Sequence, residues 1–182
     1  MWWSGSSGFG MLDDMTIERA EPSLTANERD MLDGWLEYHR ATLAWKCEGL
    51  SDDQLRERAV PPSSLSLVGL VRHMAEVERA WFRRRVGGED LPWLYGTDDH
   101  PDGDFDDVAG ADVAEALATW REECDRATAT AAAVPSLDAT FEGREGRKYS
   151  LRWIISHMVE EYARHNGHAD LLRERIDGST GD

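Results

Sequence analysis

Four residues near the C-terminus have types and a spacing suited to binding a metal ion. His157, Glu161 and His165 are four residues apart, so on a helix they form one stripe. His168 follows three residues later, on the same side. A solvated helix has little structural use for several imidazoles and a carboxylate on one line. We therefore expect the chemistry of this protein to lie in this segment.

A further histidine, His73, lies on a second predicted helix, between Leu70 and Val77 of its apolar stripe. Helix bundles commonly build metal sites from inward side chains of facing helices. His73 with Glu161 and His165 makes two imidazoles and one carboxylate, the ligand count of a catalytic zinc site that keeps one position open. Zn²⁺, Ni²⁺ or another first-row ion suits this set, and nitrogen and oxygen donors alone do not choose between them.

Each of these residues also has a simpler interpretation. His73 on an apolar face can be a hydrogen-bonded core histidine, and Glu161 with His165 can be an ordinary surface pair. His157 can support a ligand or pack, and His168 can face a neighbouring helix or solvent. Spacing alone leaves both interpretations open.

Other residues are candidates for supporting roles. Ligating imidazoles usually donate their second N–H to an acceptor, for which the sequence offers Glu76, Glu78 and Glu160. Gly167 costs about 1 kcal/mol relative to Ala inside a helix, so it is a candidate for close helix approach. Cys47 invites interpretation as a nucleophile, but no Ser/Cys–His–Asp arrangement accompanies it, and a buried structural thiol is expected.

Composition argues against several functions. Lys+Arg of 20 against Asp+Glu of 36 gives a formal charge of −16, which disfavours binding to nucleic acid or to an anionic membrane. Cys47 and Cys124 have no metal-binding or disulfide-scaffold spacing, so we expect a reduced, cytoplasmic protein. No run of 18 apolar residues is present, and no membrane span is expected.

Four amphipathic helices must position the candidate ligands. The first begins near Thr25, which forms a capping-box pattern with Glu28, and Asp112 and Ser150 are the N-caps expected for the third and fourth. The predicted helices span residues 25–49, 65–87, 112–134 and 150–176. With almost no strand signal, the pattern predicts an all-α four-helix bundle with long connections.

The remaining segments are predicted from composition. Residues 91–110 are rich in Asp, Gly and Pro and predict a long loop of the kind that often forms a lid or wall of a site. Residues 140–149 predict a small hairpin. The chain divides into a flexible leader with Trp2 and Trp3 (1–22), one four-helix-bundle domain (23–178) and a frayed tail (179–182). The helical tryptophans are expected in the core or lining a pocket: Trp35, Trp45, Trp81, Trp120 and Trp153.

Two helical segments resemble the DinB/YfiT-like superfamily. Leu70-Val-Arg-His-Met-Ala-Glu-Val-Glu-Arg-Ala-Trp81 resembles its histidine-plus-aromatic signature, and His157-Met-Val-Glu-Glu-Tyr-Ala-Arg-His-Asn-Gly-His168 resembles its last-helix signature. The motifs have the right order and separation, and the resemblance covers roughly residues 25–177. It implies a four-helix bundle with a divalent metal held by three residues, often three histidines.

By this resemblance, His73 matches the first ligand and His165 the third. The second, usually histidine, is Glu161 here, which is similar to the His-Glu-His set of the mycothiol-dependent maleylpyruvate isomerases of this superfamily. Many relatives have Arg-Gly-Gln after the third ligand where this chain has Asn-Gly-His, so His168 matches no ligand position. The resemblance implies a transferase or isomerase that uses a low-molecular-weight thiol such as mycothiol or bacillithiol.

Two functions of different classes follow. In the first, a metal-dependent enzyme binds the thiol sulfur at the open metal position, which favours thiolate. The electrophilic substrate then enters from the 91–110 loop, and Glu160 or His168 accepts the proton. In the second, a non-catalytic metal-binding or stress-associated bundle acts as a homodimer or through a partner. A closed four-ligand shell, or a site without access to solvent, would favour the second.

Overall fold

The computed structural model describes residues 18–143 and 146–181. Its α-helices are α1 (Glu28–Cys47), α2 (Asp52–Arg56), α3 (Leu67–Glu78), α4 (Gly103–Asp106), α5 (Val113–Ala132) and α6 (Leu151–Asp177). A π-helical segment, Arg79–Val86, continues α3, and two antiparallel strands, β1 (Thr140–Glu142) and β2 (Lys148–Ser150), form the predicted hairpin before α6. Helix α1 packs along α6, α3 packs along α5, and α3 also contacts α6. The predicted all-α bundle is confirmed.

Side-chain caps determine where the long helices begin. The predicted N-caps of α5 and α6 are confirmed: Asp112 and Ser150. Ser66 caps α3, close to the predicted start of that helix. The predicted cap of α1 is wrong, because Asn27 rather than Thr25 accepts a hydrogen bond from the Asp30 N–H, at 3.0 Å. Helices α2 and α4 have five and four residues, too few for an apolar period to reveal them in the sequence.

A buried hydrogen-bond network around Glu78 joins the four long helices. Arg40 of α1 donates two hydrogen bonds of 2.7 Å to this carboxylate, which is fully buried. The Tyr162 hydroxyl of α6 donates a third at 2.8 Å and itself accepts one from the Trp120 indole of α5 at 2.9 Å. Since a buried charge needs such partners, Glu78 serves the core and does not orient an imidazole.

One expectation for α6 is wrong. A Cβ atom built at Gly167 would meet no atom within 4 Å, so this glycine does not admit a close helix approach. Trp153, expected in the core or lining a pocket, is 44% exposed and therefore lies outside the core. Both residues face outward, a property that residue type alone does not encode.

The first part of the predicted leader, residues 1–17 with Trp2 and Trp3, lies outside the described residues. Further along, the guanidinium of Arg19 lies 4.1 Å from the centre of the Trp45 ring. This cation–π contact places the chain just before α1 against the outer side of that helix.

Candidate metal centre

Three of the predicted ligands meet where α3 passes α6. His73, Glu161 and His165 each offer one donor atom, and these atoms lie within 4.8 Å of one another. The Glu161 Oε2 to His165 Nε2 distance is 3.6 Å. Two ligands of a tetrahedral zinc ion, each 2.0–2.1 Å from the metal, are about 3.4 Å apart. The donor set therefore fits a divalent first-row ion with little rearrangement.

The environment of His165 keeps its imidazole neutral. Burial, together with charge repulsion from the neighbouring His73 and His168, lowers the pKa of His165 to about 4. The rings of His73 and His165 are 4.7 Å apart between centres. Since the neutral imidazole is the form that binds metals, His165 is ready to ligate at neutral pH.

A buried carboxylate that the sequence did not single out holds His73. Asp104 Oδ2 lies 2.8 Å from Nδ1 of His73, and the Phe105 ring stacks on the imidazole with a centre-to-centre distance of 4.8 Å. An Nδ1–H donated to Asp104 leaves the Nε2 lone pair for a metal, the usual carboxylate–histidine arrangement. The available signal was the Asp-rich loop, but nothing in it distinguishes Asp104 from its acidic neighbours.

Helix α3 itself holds the loop that carries Asp104. Arg72 donates hydrogen bonds to the backbone carbonyls of Asp107 and Gly103, at 2.6 and 3.0 Å, on either side of Asp104. One turn further on, Glu76 accepts hydrogen bonds from the backbone N–H groups of Leu94 and Tyr95, at 2.7 and 3.1 Å. Glu76 therefore anchors the loop, and its expected role as an imidazole partner is not the one observed. The loop forms a wall of the site.

His157 and Glu160 lie beside the second ligand on α6. Nε2 of His157 is 3.5 Å from Oε1 of Glu161, and the three residues form a second group with donor atoms within 4.8 Å. All three come from one helix, and Glu160 is also paired with Arg164. That ion pair lowers the pKa of the Glu160 carboxyl group.

His168 lies against the third ligand. The Nδ1 atoms of His168 and His165 are 3.4 Å apart, and their rings meet edge to face. His168 thus contacts a candidate ligand from outside the group of three donors.

An aromatic cluster adjoins His157. Its imidazole stacks on Trp153 at 4.8 Å and meets the Trp81 ring edge to face at 5.1 Å. Tyr149 of the hairpin lies 4.9 Å from Trp153. Aromatic side chains therefore continue the surface from the candidate ligands along the seam between α3 and α6.

The cysteines take no part in this site. Neither is disulfide-bonded, and Cys47 is buried. Burial raises the pKa of the Cys47 thiol to about 12. Since the thiolate is the reactive form, this supports the interpretation of Cys47 as structural.

The fold and these side chains define a class: DinB-like helical bundles in which two histidines and a carboxylate meet between two helices. The family model described as mycothiol-S-transferase matches residues 31–178. The chain belongs to that family, within the DinB/YfiT-like superfamily, so the resemblance seen in the sequence is confirmed.

The family description names a thiol S-transferase and indicates use of mycothiol. No curated protein matches the chain at a significant level. Among the described residues, no helix is long and apolar enough to cross a bilayer.

Proposed function

We propose that this protein is a divalent-metal-dependent enzyme that transfers mycothiol, or a similar low-molecular-weight thiol, to an electrophilic small molecule. The observation that carries the proposal is the meeting of His73, Glu161 and His165, with Asp104 holding the first of them. We take Zn²⁺ as the ion, because two nitrogens and one carboxylate with an open position are a ligand set of catalytic zinc sites, and Ni²⁺ is the alternative. Such an ion, when bound, favours the thiolate form of a coordinated thiol.

The charges around the site support this assignment. Glu161 supplies one negative charge to the donor set, and Asp104 supplies a second through the His73 ring. Together they balance a divalent cation. A carboxylate that accepts the imidazole N–H also raises the basicity of the ligating nitrogen and fixes the ring orientation.

A proton acceptor is needed when the thiol ionises. We propose His168 for this role, with Glu160 as the alternative. The ion pair with Arg164 lowers the pKa of Glu160, which makes its carboxylate the weaker base. His168 contacts His165 directly, so it lies at the edge of the donor set.

Access from solvent favours an enzyme over a closed metal-binding bundle. The side chains of His73 and Glu161 are 24% and 23% exposed. A thiol can therefore approach these two ligands without unfolding of the bundle. Homodimer formation and a cytoplasmic location stay predictions.

Metal analysis tests the donor set. The wild-type protein, purified from zinc-supplemented medium without chelator, is expected to hold about one metal ion per chain, and Glu161→Ala is expected to hold far less. Glu174→Ala, an exposed glutamate further along α6, is the matched control. A wild-type protein without bound metal would overturn the proposed site.

Thiol transfer tests the reaction. His73→Ala and His165→Ala are each expected to lower the rate of mycothiol conjugation to a reactive electrophile at least about 100-fold, since the metal contributes several kcal/mol to such steps. His100→Ala, which changes an exposed loop histidine, is expected to retain the wild-type rate. Full activity in either ligand variant would exclude this function.

A further inference from the structure

Ring contacts between α3 and α6 continue beyond the candidate metal centre. The rings of His73 and His165 lie 4.7 Å apart between centres, and the rings of Trp81 and His157 lie 5.1 Å apart. The second pair is eight positions from the first along both helices, which corresponds to about 12 Å at the α-helical rise. A ligand at the metal centre therefore has to be about 12 Å long to contact Trp81 as well.

A cavity of about 470 Å³ is lined in part by Trp81. We call it the tryptophan pocket. Its lining includes two indoles, two guanidinium groups and two carboxylates: Trp81, Trp93, Arg84, Arg85, Glu89 and Asp90. Flat apolar faces thus alternate with hydrogen-bond donors and acceptors of both charges.

The two arginines have donors that the protein does not use. Arg84 lies over the Trp93 ring at 5.7 Å, and within the described part of the chain it has no carboxylate partner. Arg85 donates to the backbone carbonyl of Glu142 at 2.6 Å, but its buried Nε has no partner there. A buried donor without a partner is costly, so this arrangement indicates a polar ligand.

The pocket is built on the π-helical segment Arg79–Val86, which carries Trp81 and both arginines. Runs of π-helix are rare, and they occur frequently at functional sites because the wider turn re-aims side chains. The backbone irregularity and the unpaired donors are independent observations at the same place.

We propose that the tryptophan pocket binds the sugar part of the thiol cosubstrate while the sulfur lies at the metal centre. This inference rests on the proposed thiol-transfer function. Mycothiol joins a cysteine derivative to a hexosamine and a cyclitol in series, so its sulfur is separated from its terminal ring by several bonds. Each ring has an apolar face that stacks on an indole and a rim of hydroxyl groups.

The charges of the pocket favour a sugar over the electrophilic substrate. An apolar electrophile would leave Arg84 and Asp90 without partners, and an electrophile with a single charge would pair with only one of the two. Hydroxyl groups both donate and accept, so they satisfy guanidinium and carboxylate groups together.

Binding of the sugar fragment to metal-free protein tests the pocket separately from catalysis. Calorimetry with N-acetylglucosaminyl-inositol, which lacks the cysteine but keeps the neutral amide of mycothiol, is expected to show saturable binding to the wild type. Arg84→Ala and Trp93→Ala are each expected to weaken it about tenfold, the effect of one charged hydrogen bond or stacked ring. The matched controls are Arg126→Ala, an exposed arginine of α5, and Trp45→Ala on α1, and both are expected to bind as the wild type does.

Kinetics supply the second readout. Arg84→Ala is expected to raise KM for mycothiol about tenfold with kcat unchanged, and to leave the rate with N-acetylcysteine, which has no sugar, unaltered. Equal losses with both thiols, or no binding of the fragment by the wild type, would overturn the pocket assignment. Fragment binding without any thiol transfer would instead reject the proposed function and leave the pocket standing.

Discussion

Removal of Asp104 is expected to weaken metal binding although all three candidate ligands are retained. This carboxylate is buried and lies 2.8 Å from Nδ1 of His73. A hydrogen bond to a charged acceptor contributes about 1.5–3 kcal/mol. Partners of metal-bound histidines typically change affinity about 10–100-fold, which corresponds to about 1.4–2.7 kcal/mol. The two ranges agree, so we expect Asp104→Ala to lower zinc affinity about 10–100-fold.

Asp104→Asn distinguishes the hydrogen bond from the charge. Its amide oxygen can still accept the His73 Nδ1–H, but the negative charge is lost, so the loss of affinity should be smaller than in Asp104→Ala. Competition with a chromophoric chelator at constant neutral pH measures the affinities. The matched control is Asp106→Ala, which changes an exposed carboxylate of the same short helix.

The zinc affinities of the Asp104 variants and of Asp106→Ala can be compared only when the stability of each protein is also measured. Asp104 Oδ1 also accepts the Phe105 N–H at 2.9 Å, so urea unfolding of the metal-free proteins must accompany the titrations. If Asp104→Ala binds zinc as tightly as Asp106→Ala does, Asp104 does not position His73 for a metal. A loss in Asp104→Asn equal to that in Asp104→Ala would assign the whole effect to charge.

Three further predictions concern the bundle itself. Gly167→Ala should raise the free energy of unfolding in urea by about 0.5–1 kcal/mol, because the added methyl group meets no atom and favours the helix; a decrease would contradict the described environment. Tyr162→Phe should lower it by about 1–3 kcal/mol, because Glu78 loses a buried hydrogen-bond donor; thermal and urea unfolding measure this, and an unchanged stability would exclude the bond. Cys47, with a pKa of about 12, should resist alkylation in the folded protein even as pH rises from 7 to 9, and react readily in urea; fast native labelling would show that this thiol is accessible.

The elements of the bundle could be predicted because their signals are local. Apolar residues three and four apart identify α3, α5 and α6, and Asp112 and Ser150 also mark the starts of α5 and α6 as caps. The predicted cap of α1 is wrong because Thr25 and Asn27 are both good capping residues two positions apart. Choosing between them depends on the path by which the chain enters the helix.

The candidate site was predictable in part for the same reason. Glu161 and His165 are one turn apart, so helix geometry alone brings them together. His73 was placed with them by the expectation that helices face each other in a bundle and by the superfamily resemblance. The contact between α3 and α6 that joins all three is a property of the packed structure.

By itself the sequence determined the four long helices, the face of α6 that carries Glu161 and His165, and the family. Only the tertiary structure decided that Asp104 holds His73, that Glu78 belongs to the core, and that Trp153 is exposed. The physical reason is the range of the interactions. The faces of a helix follow from its own backbone within a few residues, whereas the partner of a side chain across a loop depends on how the whole chain packs.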